Sequence, residues 1–127
     1  MASLLGAFNA QIVKFIEDIA TVLKPEDAAE ARKSVSALKL TLRMSPTSGI
    51  KVWQGYARMY ATEIAAGDME AFIDRDYSNV LQERGSSWLD ACERIRTCAK
   101  YLSPSNQKKT MDYVQLLTKL SNMYGAS

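Results

Sequence analysis

Residues 5–23, LGAFNAQIVKFIEDIATVL, decide the fold class. Leu5, Phe8, Ile12, Phe15, Ile16, Ile19, Val22 and Leu23 recur at the three- and four-residue spacing of one helical face, while Lys14, Glu17, Asp18 and Thr21 fall on the other. The spacing predicts an amphipathic helix over 3–23. The same pattern continues outward in both apolar content and punctuation. Lys24-Pro25, Ser45-Pro46 and Ser103-Pro104 each precede a helical stretch, and proline suits a first helical position because its missing N–H would be unpaired there anyway. Ser45 and Ser103 are expected to cap the helices that follow them. Gly67 and Gly125 are expected to end helices.

Helix two is expected over 25–43, with Ala28, Ala31, Val35, Leu38 and Leu42 inward and Glu26 and Asp27 placed against the dipole in its first turn. Helix three, over 46–66, carries Ile50, Trp53, Ala57, Tyr60 and Ile64 on one stripe, widened by Val52, Tyr56 and Met59. Trp53 and Tyr60 read as core, and Tyr56 as partly exposed. After Gly67 the period breaks. Asp68 fits a turn through Phe72 and Ile73, and Asp76, Tyr77 and Ser78 lead to a second turn near Gly85, so an irregular connector is expected. Helix four, over 87–102, has Ser87 and Asp90 at capping-box spacing and a stripe of Trp88, Cys92, Ile95, Ala99 and Leu102. Helix five, over 104–124, turns Met111, Val114, Leu117, Leu120 and Tyr124 inward and Gln107, Lys108, Lys109 and Lys119 outward. No alternating run bounded by turns predicts a strand. The expectation is an all-α, compact bundle of about five amphipathic helices forming one domain, 1–127, with no repeat period.

Composition agrees with a soluble globular chain: 127 residues are 47% apolar and 24% charged, enough to bury roughly two-thirds of the unfolded surface. Sixteen basic residues against fourteen acidic ones leave +2, too little for a global field that gathers nucleic acid or anionic lipid. The apolar opening lacks a basic flank and is interrupted by Gln11, Lys14, Glu17 and Asp18, so it reads as a helix start and not as a signal peptide or a membrane span. Ala2 in place of Gly, and no cysteine near the C-terminus, argue against lipidation.

Histidine is absent, which removes the commonest general base, zinc ligand and partner of a nucleophilic Ser or Cys. Cys92 and Cys98 lie six apart on one expected helix, about 120° around its axis, so they do not pair with each other; they read as reduced, core-packed thiols of an intracellular protein. Neither forms a CxxC pair nor completes a zinc site. The glycines form no phosphate-cradling loop. Asp68, Glu70, Asp74 and Asp76 miss the turn glycine and terminal glutamate of a calcium loop. No catalytic residue, cofactor, metal or small-molecule ligand is expected. Cations do gather on expected outer faces, Arg32, Lys33, Lys39 and Arg43 on helix two and Arg94, Arg96, Lys100, Lys108 and Lys109 on the last two helices. They form a candidate phosphate-binding face, but Glu30, Glu93 and Asp112 interleave with them, which favours an ordinary solvated surface.

Several of these residues together resemble a family of small, all-helical proteins encoded by nucleocytoplasmic large DNA viruses, the giant viruses of algae and amoebae. The matching positions are Phe8, Asn9, Gln11, Ile12 and Phe15, then Pro25, Glu26 and Asp27, then Trp53, Tyr60, Ile64, Asp68, Phe72, Asp76 and Tyr77, and finally Leu102, Ser103, Asn106, Tyr113, Val114, Leu117 and Leu120. Ser45-Pro46 stands where the family often has Asn-Pro, and Lys100-Tyr101 where it often has a Trp. The resemblance implies a viral protein and a helical fold and supplies no activity to transfer; Asn9, Asp68, Asp76 and Asn106 fit caps and turns. The resulting expectation is a non-enzymatic interaction or structural protein, virion-associated as a minor capsid or scaffolding subunit, docking a viral partner or itself through helix faces. The alternatives are a nucleic-acid-associated protein using the basic faces and an adaptor for a host factor in the cytoplasm or viral factory. A secreted or membrane-inserted protein is not expected.

Overall fold

In the computed structural model, which describes residues 3–74 and 94–126, α1 spans Leu4–Ala20 and α2 spans Pro25–Met44. Ser3 starts α1: its backbone is extended and its Oγ accepts from Gly6 N at 2.8 Å, which satisfies one of the orphan donors of the first turn. The helix ends at Thr21, whose N–H returns to the Asp18 carbonyl while that of Val22 returns to Ile19. Lys24 is extended before Pro25, as the residue preceding a proline must be to avoid its ring. Glu26 and Asp27 then sit in the first turn and Arg43 in the last, both matching the helix dipole.

α3 covers Ser48–Met59 and α4 covers Ala61–Ala66, which corrects the single expected helix over 46–66. Tyr60 leaves the helical region at φ −112° and ψ 17° and its N–H reaches Ala57 in a tightened turn. Tyr60 and Ile64 remain buried across the break. Ser45 is likewise not the cap of this helix. Its N–H bonds to Thr41, closing α2, and its carbonyl accepts from Ser48 N and Oγ, so Pro46 lies in the turn before α3. At the end of α4, Gly67 is left-handed at φ 65°; its N–H reaches Ile64 and the Asp68 N–H reaches Glu63, the paired closure of a Schellman motif. Asp68 Oδ1 then accepts from Ala71 N at 3.1 Å and opens α5, Met69–Asp74.

Of the expected fourth helix, residues 94–98 are α-helical and pass into a 3-10 turn over Ala99–Tyr101. Asp76, Tyr77, Ser78, Gly85, Ser87, Trp88, Asp90, Cys92 and Glu93 lie outside the described residues. Ser103 Oγ accepts from Asn106 N at 3.2 Å and begins α6, Pro104–Ala126, with Pro104 in the position expected of it. The helix continues through Gly125, which therefore does not mark its exit. The described residues are all-α, with helices joined by turns and no strand.

α1 is the central helix, packed on α2 and α6 and touching α3. Phe8, Ile12, Phe15, Ile16 and Ile19 are all 0–1% exposed, each contributing about 2 kcal/mol of burial. Chain direction is fixed by side-chain ties. Asn9 Nδ2 donates to the Pro46 carbonyl and Lys39 pairs with Glu17, so α1 runs antiparallel to α2. Phe8 meets Trp53, which reaches Thr118, while Phe15 and Asp18 meet Tyr113, so α1 runs antiparallel to α6 as well. Trp53 Nε1 donates to Thr118 Oγ1, Gln54 Nε2 to the Ser121 carbonyl and Gln115 Nε2 to the Ile64 carbonyl, which runs α3 and α4 antiparallel to α6. Trp53, Tyr56, Tyr60 and Phe72 form a chain of rings with neighbouring centroids 5.0–5.2 Å apart. Tyr56 is buried, not partly exposed, because it is the middle ring of that chain.

Candidate functional site

One member of the expected basic face is not on the surface. Arg96 is 3% exposed: its Nη1 donates to the Phe72 and Ile73 carbonyls at 2.7 and 2.8 Å, and its guanidinium lies 5.1 Å from the Tyr60 ring centroid. It is a core residue that caps the carbonyl end of α5, where a short helix leaves orphan acceptors. Arg94 pairs with Asp27 at 2.9 Å, Lys39 with Glu17 at 3.5 Å and Lys108 with Asp112 at 3.2 Å. Arg32, Lys33, Arg43, Lys100 and Lys109 are exposed, distributed over α2, the 3-10 turn and α6, with no ion pair among the described residues. The ammonium groups of Lys24 and Lys100 each lie 5.1 Å from the Tyr101 ring centroid, a surface cation–π arrangement.

The described thiol is also not where core packing would put it. Cys98 is partly exposed beside a cavity of about 110 Å³ lined by Val22, Leu23, Lys24, Asp27 and Tyr101. Its Sγ donates to Asp27 Oδ2 at 3.5 Å. Burial, then that hydrogen bond and the Asp27 charge, push the thiol up from its usual range, against Arg94 and Lys24. A raised thiol is a poor nucleophile. Among the described residues no group of three or more Cys, Asp or Glu side chains is arranged to hold a metal ion, and no helix is long and apolar enough to cross a membrane.

An open trough of about 540 Å³ lies between α3–α4 and α6. One wall is Ala57, Ala61 and Ala65, one helical turn apart; the other is Gln115, Thr118, Asn122 and Met123; Ile64 lies at its base. Gln115 and Gln54 span the two walls through their bonds to the Ile64 and Ser121 carbonyls, which hold the helices at fixed separation. Arg58 and Lys119 stand on opposite rims, both exposed and neither paired among the described residues. No Asp or Glu lines it.

Sequence reasoning missed this trough and placed Lys119 merely outward. A signal was available in the charge pattern. Residues 1–16, 31–62 and 113–127 together hold eight of the sixteen Lys and Arg residues and none of the fourteen Asp and Glu residues. The ties Asn9 to Pro46, Trp53 to Thr118 and Gln54 to Ser121 gather the start of α1, the end of α2, α3 and the end of α6 at one end of the bundle. Arg43, Lys51 and Lys119 lie on those segments with no ion pair among the described residues, and the trough opens beside them. Comparison with known protein families, with curated proteins and with solved structures finds no match to this chain.

Proposed function

We propose that the chain is a non-enzymatic protein-interaction domain whose docking surface is the trough between α3–α4 and α6. The observation that carries this reading is the aliphatic, exposed lining of the trough, with Ala61, Ala65 and Met123 turned to solvent. Apolar surface rimmed by polar groups occurs at protein-interaction and ligand-binding grooves, and an amphipathic helix laid into such a groove is one recurring mode of recognition. Of the other candidates, the Cys98 thiol is pushed up from its usual range and one member of the basic set, Arg96, is in the core.

The setting we propose, on the sequence resemblance alone, is a large DNA virus, with the domain as a minor capsid or scaffolding subunit. Two measurements test the two parts separately. A photo-crosslinking residue placed at Ala61, with a control at Lys109, is expected to join one defined protein from the trough position only; equal labelling from both positions would sink the docking surface. Quantitative mass spectrometry of purified particles beside infected-cell lysate is expected to find the chain at fixed stoichiometry in the particle. Its absence there would leave an intracellular factor.

A further inference from the structure

We infer that the trough takes an acidic amphipathic helix of a partner protein, an inference that rests on the trough being a docking surface and adds the chemistry of its occupant. The shape argues for a helix. Ala57 of α3 and Ala61 and Ala65 of α4 present methyl groups at four-residue spacing along one wall, across the turn at Tyr60, so a third helix can approach closely there, about 8–10 Å between axes. Its apolar residues at i, i+3 or i+4, and i+7 would meet Ile64, Met123 and the alanines.

The charge argues for acid. Arg58 and Lys119 flank the trough from opposite rims with no partner among the described residues, and no carboxylate lines it. Along the chain, 31–62 and 113–127 hold cations and no acidic side chain; Lys39 is paired with Glu17 and Glu63 follows on α4, but the charged side chains that line the trough itself are all of one sign. A helix carrying Glu or Asp on both sides of its apolar face matches both rims at once, and a basic helix meets repulsion on both.

The other occupants fit less well. A second copy of this chain offers the exposed Leu40 and Met44 of α2, but Arg43 stands between them and brings like charge, and two troughs set face to face through Met123 would bring Arg58 and Lys119 against the same cations. A single-stranded nucleic acid would need exposed rings at the trough to stack on; Trp53, Tyr56 and Tyr60 are all buried, and the exposed ring of Tyr101 lines a different cavity. A fatty acid needs enclosure of most of its chain, and the trough is open along its length.

The test uses the full chain and a displayed library of amphipathic helices of about 18 residues, five turns, that share a Leu/Ala face and carry Glu, Gln or Lys in equal proportion at the flanking positions. Selected peptides should be enriched in Glu, and the all-Glu peptide should bind about tenfold tighter than its Gln counterpart, a difference of about 1.4 kcal/mol. The R58E/K119E double variant, exposed at both positions and checked for retained helicity by circular dichroism, should reverse the preference toward Lys, and A61W should abolish binding of every peptide. Selection without charge bias, or toward Lys, overturns the acidic assignment and leaves the docking surface standing. No selectable helix at all overturns both. Duplex DNA that binds, displaces the peptides and is itself lost in R58E/K119E overturns the helix in favour of a nucleic acid.

Discussion

Replacing Arg96 with methionine, R96M, keeps most of the buried stem and removes the guanidinium. Two charge-assisted hydrogen bonds disappear, to the Phe72 and Ile73 carbonyls, each worth about 1.5 kcal/mol at the low end. The stacking on Tyr60 and Phe72, at 5.1 and 6.0 Å, adds about 2 kcal/mol in a desolvated setting. Against these stands the cost of keeping a charge out of water, which the variant no longer bears. The net loss is about 3 kcal/mol, a large part of the 5–15 kcal/mol typical of a domain. With about 3–4 °C per kcal/mol at this chain length, the thermal midpoint should fall by about 10 °C. Urea unfolding followed by circular dichroism at fixed pH measures the same loss as a shift in midpoint. R96K should recover less than half of it, because an ammonium lacks the planar face that lies over Tyr60 and Phe72. A loss below about 1 kcal/mol in R96M would mean that the α5 carbonyls find other donors, and the reasoning about this residue would fail.

Three further outcomes are expected. G67A should cost about 1 kcal/mol in chemical denaturation, since a Cβ at φ 65° meets the following carbonyl; an unchanged midpoint would deny that Gly67 is held left-handed. Tyr113 is pushed up to about 12 by burial, by its hydrogen bond to Asp18 and by that carboxylate's charge, so its contribution to stability is complete below about pH 10, the free tyrosine value, and is lost as pH rises from there through about 12. Spectrophotometric phenolate titration should show one late-ionising tyrosine that shifts back toward ordinary tyrosines in D18N. Alkylation of Cys98 at neutral pH, followed at the peptide level, should be slower than that of an unstructured thiol and severalfold faster in D27N, which removes the carboxylate and leaves Lys24 and Arg94; equal rates in the two proteins would refute the role given to Asp27.

How much of this was legible depended on whether one helix carried the information. α1, α2 and α6 each bury a single stripe, so Phe8 to Ile19, Ala28 to Leu42 and Met111 to Leu117 declare themselves by spacing. The break at Tyr60 does not, because Met59-Tyr60-Ala61 has no proline or glycine and the apolar stripe passes through it unchanged. Ser45-Pro46 has the composition of a cap, yet the same serine serves equally to close the helix before it. Arg96 was readable and was read by charge instead of position. It stands four residues after Cys92 and one after Ile95, inside the stripe of its helix, where a guanidinium needs carbonyl acceptors, and the short α5 supplies them.

The trough could not come from any single period, since its two walls are brought together only when α6 returns along α3 and α4. Its alanines cost the core nothing: Ala61 and Ala65 are exposed, while Tyr60 and Ile64, one residue earlier in each turn, hold the helix to the bundle. The polar atoms beneath it are committed. Gln54, Gln115 and Trp53 all donate across to α6 or α4, and the buried Thr110 and Ser121 hydroxyls return to carbonyls of their own helix, which leaves the trough's shape set before anything occupies it. A preformed apolar groove spares its occupant the cost of ordering the receptor. The two cations on its rims, without partners among the described residues, are then available for selectivity between occupants, with stability resting on the aromatic chain and α1 beneath.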